Sequence, residues 1–353
     1  MGHILSTLVV LALLLGVLVV FHEFGHFAVA RLVGMKVHEF AFGFGPIIAR
    51  LFRRGDTQFN LRAVPLGGFV RIAGMEPGEE EVPGGFNSAP AWHRLLVVLA
   101  GPFMSLLLGY IVFSAVGLVW GFPGKQPTTE IAAVTKNMPA AKAGLRPGDR
   151  ILAIDGRRLR TGQDLQRIVS KSAGKELVLE VRRDRRRMFI RATPRLEKDP
   201  NHPKKQIGQI GVLLNSPMER VGLIESVKRG TLLTYNVVIN ILRTLFSKQI
   251  AKDVGGIVMI GYMTGEVVKE GAQAVFFELA ALSVMLGILN LIPFFVLDGG
   301  HILYLAIEKV RGKKLEPERW YALQTFGLAV LVMLAVFLIY FDISRIATGN
   351  VPR

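Results

Sequence analysis

The chain has no cysteine among its 353 residues. No disulfide can hold any part of it, and any metal must be bound by His, Asp or Glu. Acidic residues are scarce: 27 Asp and Glu stand against 43 Lys and Arg, a formal charge of +16. The excess is concentrated in residues 125–198, which carry 19 basic and 8 acidic side chains, a net of +11. No aromatic stacking pattern accompanies that charge. The segment therefore reads as a solvated surface beside anionic lipid headgroups, with no nucleic acid as partner. Charge of either sign is missing altogether from residues 95–120.

What is present is apolar, at 51% of the chain, and it pools into blocks. Residues 4–32, 95–120, 279–310 and 322–340 each reach the ~20 residues that cross ~30 Å of hydrocarbon as a helix. They predict four membrane spans. The first block has no Lys or Arg ahead of it and is longer than a signal-peptide core, so it reads as a retained span although Ala28-Val29-Ala30 resembles a cleavage site. Basic residues in the short connections 33–91 and 309–319 place both on the cytoplasmic side. The N-terminus, the long segment 122–278 and the C-terminus then lie outside.

Within the first block stands the stretch Phe21-His22-Glu23-Phe24-Gly25-His26-Phe27. Residues four apart on a helix share a face, so His22 and His26 can grip one ion, with Glu23 beside them as a general base. This is the H-E-x-x-H pattern of zinc peptidases. A mid-bilayer ionisable group costs on the order of 3 kcal/mol. Three neighbours there call for a compensating divalent cation and a polar pocket. A catalytic zinc takes three protein ligands. The third candidate is Asp298, in the sequence NLIPFFVLDGGH. His22 lies 9 residues from the boundary residue Arg31 and Asp298 lies 11 from Lys309, roughly 14 and 17 Å of helix, so both sit at similar depth. Pro293 and the pair Gly299-Gly300 should loosen the helix around the Asp. His301 reads as structural or supporting.

These two motifs, in this order, resemble the site-2 protease family of intramembrane zinc metalloproteases, and within it the bacterial branch that regulates sigma-E. The resemblance covers nearly the whole chain. It implies zinc, one per chain, on His22, His26 and Asp298, with Glu23 as the catalytic base. It implies that Asn290 and Pro293 engage an unwound substrate, and that a membrane-dipping β-region around Gly43-Phe44-Gly45 does the same, with Gly43 and Gly45 as substrate-binding positions. The family's second Pro is Phe295 here, and its Asn after the Ala100-Gly101-Pro102 stretch is Ser105; neither departure is expected to touch a ligand.

Other segments fit this frame. Residues 37–75 carry turn residues at Arg54-Gly55-Asp56 and Pro65-Leu66-Gly67-Gly68 and read as short strands and hairpins. Adding a substrate as a strand to an exposed edge there would open its helical hydrogen bonds. The stretch 143–156, AGLRPGDRILAIDG, resembles the core signature of PDZ domains. With a helix at 163–171 and a hairpin of 177–182 and 188–192 it predicts one PDZ domain over 122–198. In the family such a module is implied to admit only substrates already shortened outside. Residues 199–217 read as a linker and 220–250 as an amphipathic helix on the outer membrane surface. The whole is expected to be an α-helical polytopic membrane protein of a bacterial inner membrane. Its organisation is 1–121, two spans and the β-region; 122–198, the PDZ domain; 199–277, linker and surface helices; 278–353, the last two spans.

The implied activity is endopeptidase cleavage of single-span membrane proteins, such as an anti-sigma factor or a remnant signal peptide. The lipid bilayer is the other partner, and no stable oligomer is implied. A non-proteolytic zinc-binding PDZ scaffold is the alternative, but it would need ligands and no base. A metal transporter would need several acids along a path.

Overall fold

The computed structural model describes residues 2–75, 82–124, 126–198, 206–247 and 255–348. It divides into two units: residues 1–119 with 222–353, and residues 120–221. Among the described residues four helices are long and apolar enough to cross a membrane. They are α1 (Gly2–Leu32), α2 (Ala91–Val119), the helix Ala272–Asn290 and the helix Pro317–Thr348. A multi-pass membrane protein follows. A helix that is apolar on all sides has no solvent face and must lie in lipid or protein.

Within the first unit, α1 and α2 meet where side chains are small. A Cβ added at Gly25 would overlap the Ala100 carbonyl and come within 2.8 Å of Met104 Cγ. Such contacts carry helix association in membranes, where apolar burial offers little. Residues 37–72 form two long irregular strands, β1 (Val37–Arg54) and β2 (Thr57–Ile72), rather than several short ones. The turn falls at Gly55 as its sequence suggested. Residues 39–42 pair on one side with 58–61 and on the other with 68–71. The segment 68–72 is therefore an outer margin of this sheet. Phe27 of α1 fixes the sheet, its ring 5.5 Å from Phe40 and 5.6 Å from Phe59. At the bend, Phe44, Ile47, Ile48, Leu51 and Phe52 are exposed, a surface suited to lipid.

The third apolar block is not one helix. It stops at Asn290, passes through a loop at 291–297 and restarts at Asp298. The physical reason lies in Pro293, which lacks an N–H, and in Gly299 and Gly300. A Cβ on either glycine would collide with the carbonyls of Ile292 or Phe294, so only glycine lets the loop fold back on the new helix. The span itself begins earlier than its sequence suggested, at Ala272, and so contains Glu278, whose carboxyl accepts from Thr264 Oγ1 at 2.8 Å.

Two more helices complete this unit. Helix α5 (Leu223–Leu245) falls where an amphipathic surface helix was expected, but its Leu233, Val237, Val238 and Ile241 pack on Phe113, Ala280 and Val284 of two spans. Helix α6 (Ile257–Glu270) lies in the stretch expected only as linker and surface helices, where no separate helix was placed. It is followed by α7 (Ala272–Asn290), α8 (Asp298–Arg311) and α9 (Pro317–Thr348). Asp342 of α9 caps α6, accepting from the backbone of Gly256 and Met259 at 2.9 Å each.

The second unit opens with β3 (Phe122–Pro123), β4 (Ile131–Val134) and the one-turn helix α3 (Pro139–Lys142), and it has its own core: Ile131, Ile151, Leu165, Leu179, Val181 and Leu214 among others. Strands β5 (Arg150–Ile154), β6 (Arg157–Arg158), β7 (Leu177–Arg183) and β8 (Arg186–Ala192) form a sheet in the order β6-β5-β7-β8. Helix α4 (Gly162–Lys171) covers one face. Its start is fixed by a capping box, Thr161 with Asp164. Asp149, 1% exposed, takes Arg183 in a two-pronged pair at 2.7 Å and the Arg146 N–H at 2.8 Å. Burial works against its ionisation, but these partners outweigh burial and hold the carboxyl below its ordinary range. The segment 199–217 is not a linker in its described part. It supplies Gln206–Gln209 and Val212–Leu214, which pair with Arg195–Lys198 and Ile131–Val134, and just beyond it Met218–Glu219 pairs with Phe122–Pro123. The module thus runs to about residue 221. Strands of two to four residues are too short to show a period.

Candidate metal centre

The site starts from α1. One helical turn separates His22 from His26, and both face inward at 6% and 5% exposure. The close approach at Gly25 presses this face against α2. There His26 Nδ1 donates to the Val97 carbonyl at 2.8 Å, and His22 Nδ1 lies 3.0 Å from Ser105 Oγ. A carbonyl only accepts, so His26 carries its proton on Nδ1 and leaves Nε2 with a free lone pair. Ser105 is itself placed by α7, since Ser283 Oγ donates to the Ser105 carbonyl at 2.7 Å.

Asp298 arrives as the first residue of α8. Its Oδ2 lies 3.1 Å from His22 Nε2 and 3.4 Å from His26 Nε2, and the two Nε2 atoms are 3.2 Å apart. Tetrahedral ligands about 2.0–2.1 Å from a zinc ion would stand about 3.3–3.4 Å from one another. The observed triangle has that size. Asp298 Oδ2 is also buried with no hydrogen-bond partner, as an atom reserved for a cation would be. Among the described residues this is the one cluster of three or more such groups gathered in this way. The donor set of two imidazoles and one carboxylate suits zinc.

Gly101 makes room for the triangle. A Cβ there would overlap His26 Nε2 and lie 2.8 Å from His22 Nε2. Glu23, next to the first histidine, accepts the Val70 N–H at 3.1 Å from the outer segment 68–72. Asn290, the last residue of α7, brings Nδ2 to 3.4 Å from His22 Nε2.

The other expected positions lie elsewhere. Pro293 is exposed in the loop 291–297. Gly43 and Gly45 sit in the bend of β1 with φ of +88° and +83°, and a Cβ on Gly43 would reach the Val64 carbonyl at 2.5 Å. Their requirement for glycine is met by the backbone of the sheet. His301 packs its ring 5.5 Å from that of Trp320. Phe295 lies 6.3 Å from the same ring, so the residue that stands for the second Pro packs on α9. Ser105 does touch His22, one of the expected ligands, contrary to expectation. Residues that sequence reasoning did not assign to the site are Gly101, Ser105, Ser283 and Val70. The signal of the first three was faint, small residues in the apolar runs of helices, and Val70, in β2, contributes only a backbone N–H, which any residue type could supply.

A profile of peptidase family M50 matches residues 10–334. The regulator of sigma-W protease RasP of Bacillus subtilis is 30% identical over 97% of this chain and 99% of its own. Metalloprotease MmpA of Caulobacter vibrioides is 31% identical over 97% and 96%. A protein of Rhizobium meliloti bearing a zinc metalloprotease name is 33% identical over 94% of each chain. Among solved structures, the PDZ domain of an SdrC-like protein from Listeria monocytogenes matches at 20% identity over 26% of this chain and 93% of its own, with a TM-score of 0.21.

Proposed function

The chain belongs to peptidase family M50 and is a membrane metalloprotease, and from that premise we propose that it cuts single-span membrane proteins through zinc held by His22, His26 and Asp298. The observation that carries this reading is the triangle of ligand atoms, 3.1–3.4 Å on a side, with an orphaned carboxylate oxygen at one corner. One such triangle suggests one ion per chain. When bound, zinc supplies Lewis-acid chemistry: it polarises the peptide carbonyl and lowers the pKa of a water toward ~7.

The chain's own groups do the rest. The Glu23 carboxylate takes a proton from the attacking water and delivers it to the leaving amine nitrogen. His26 and His22 are held in orientation by the Val97 carbonyl and Ser105. The margin 68–72 offers backbone groups to a substrate strand, and the Val70 N–H already points toward Glu23. A helical substrate has its amides bonded internally, so pairing with this margin would open it beside the base. Asn290, whose Nδ2 lies 3.4 Å from His22 Nε2, is proposed to hold a substrate carbonyl near the same point.

The substrates are proposed to be membrane proteins already trimmed on the outer side, an anti-sigma factor or a remnant signal peptide. The name of the sigma-W relative supports the first. The module at 120–221 is proposed to exclude untrimmed substrates. The basic connections support an inner-membrane protein with both termini and this module outside. The experiment is Glu23→Gln with a tethered single-span reporter. Zinc content should stay at one per chain while cleavage is lost. Cleavage at the wild-type rate would rule out Glu23 as the base.

A further inference from the structure

The sheet β6-β5-β7-β8 has two faces, and only one is used by the core. Ile151, Leu179 and Val181 point toward Leu165 and Val169 of α4. The opposite face carries an unusual row. Arg150 stands directly across from Arg182, and Arg182 directly across from Arg187. Three guanidinium side chains therefore occupy neighbouring strands at one register, and all three residues are exposed. Like charges directly opposite one another destabilise a sheet. The fold gains nothing from this row.

The surroundings add to it. Arg158 of β6 joins the same face through its pairing with Ala153, and Arg191 lies two places along β8 from Phe189. Phe189 is 73% exposed, a large apolar ring between Arg187 and Arg191. Three acids share the region. Glu180 pairs with Arg187 at 3.2 Å and Glu176 with Arg191 at 3.5 Å; Glu130 is bridged opposite Arg150. The two arginines in these ion pairs are 69% and 72% exposed, so water screens the pairs and they neutralise the face poorly. No ion pair is found for Arg150, Arg158 or Arg182 among the described residues.

An exposed ring flanked by long cationic side chains fits one environment in particular. At a lipid surface the ring enters the headgroup boundary while guanidinium groups reach phosphate oxygens, often two at a time. Anionic headgroups concentrate such segments at the surface. Chain connectivity makes a bilayer the nearest anionic surface: α2 ends at Val119 and Phe122 already begins a strand, while Glu219 ends a strand and α5 begins at Leu223. We propose that this face docks on the anionic phospholipid headgroups of the membrane that the chain spans. The proposal rests on the multi-pass reading and not on the peptidase chemistry.

The absence of cysteine makes the test clean, because one introduced thiol takes one label. Full-length chain bearing an environment-sensitive fluorophore on Phe189→Cys is reconstituted in vesicles of phosphatidylcholine, with or without phosphatidylglycerol. A second version carries the label on Gln166→Cys of α4, the far side of the sheet. The expected result is a blue shift and quenching by brominated acyl chains at position 189 only with phosphatidylglycerol, and neither at 166. Raising salt to ~0.5 M should reverse the shift, since screening then acts within a few ångströms. The triple variant Arg150→Gln, Arg182→Gln, Arg187→Gln should lose it. The control triple Arg146→Gln, Arg160→Gln, Arg167→Gln, with the same change of charge, should keep it. Equal signals in both vesicles, or a shift that survives the first triple, would overturn the proposal. So would a shift produced by polyglutamate and not by phosphatidylglycerol, which would assign the face to an acidic protein instead. A chain released by alkaline carbonate would overturn the multi-pass premise and the docking together. A chain that stays embedded without a shift would overturn the docking alone.

Discussion

Ser105 Oγ lies 3.0 Å from Nδ1 of His22, and in that contact α2 decides how a histidine of α1 is turned. With Nε2 directed at Asp298, Nδ1 carries the proton and donates it to the serine oxygen. Partners of this kind hold ligand rings in place and typically govern affinity by 10–100-fold. Ser105→Ala should therefore weaken zinc retention by about that factor with little change in folding. Ser105→Asn, which restores the residue expected from the family pattern, should recover most of it. Competitive chelation followed by metal analysis reads the effect. Unchanged retention in the alanine variant would mean that helix packing alone orients His22.

Gly101 gives the sharper steric test. Gly→Ala inside a helix ordinarily favours the helix by roughly 0.5–1 kcal/mol. Here the new methyl would fall on His26 Nε2 and press on His22 Nε2, the two nitrogen atoms proposed to bind zinc. Gly101→Ala should lose both zinc and cleavage while the protein stays folded. Gly16→Ala, on α1 with nothing within 4 Å of the new Cβ, should lose neither. Metal content of the two purified variants separates a blocked site from a general intolerance of change.

How much of this was legible beforehand depended on the length of the signal. His22, Glu23 and His26 could be read because a helix puts them on one turn and because charge in an apolar run is costly. Asp298 could be read from depth, although it opens a helix instead of interrupting one. Gly101 and Ser105 were quoted within a family pattern, yet their place depended on how closely α1 and α2 approach, which no periodicity encodes. The strands at 206–219 were hidden for a related reason. Each is two to four residues long, and two of the three, Val212–Leu214 and Met218–Glu219, are completed by partners far back in the chain, at Ile131–Val134 and Phe122–Pro123. Helix α6 was not resolved as an element of its own because its 14 residues, three of them charged, are too few to cross a bilayer.

A third prediction concerns the brace between α2 and α8. Arg94 and Glu308 form a two-pronged pair at 2.7 and 2.8 Å, with side chains 4% and 16% exposed. Arg94 is one turn before Val97, the acceptor of His26, and Glu308 shares α8 with Asp298. Removing one member of such a pair leaves a buried charge, at a cost of about 3–5 kcal/mol. Arg94→Ala should lower the unfolding midpoint in detergent markedly. Arg94→Ala with Glu308→Ala should be less destabilised than the sum of the two single variants, with a coupling of about 0.5–3 kcal/mol. Strict additivity would show that the pair contributes no net link between the two helices.

The last prediction is a pH dependence confined to the module at 120–221. Asp149 is held ionised by Arg183 and the Arg146 N–H, so its folded pKa lies below its unfolded value of ~3.9. A group lowered in this direction adds stability that is complete above the unfolded value. That stability is lost as pH falls through the folded one. Asp149→Asn keeps the shape but cannot take part in that titration. Hydrogen exchange of amides in β5 and β7, compared between wild type and variant at each pH, cancels the chemical exchange rate. The variant should exchange faster at pH ~7, by an amount corresponding to about 1.5–3 kcal/mol for a charged hydrogen-bond partner. The difference should shrink below pH ~4 as the wild-type carboxylate takes up its proton. If the gap instead persisted undiminished at pH ~2, the contribution of Asp149 would have to come from its shape and its hydrogen bonds, with no share from charge.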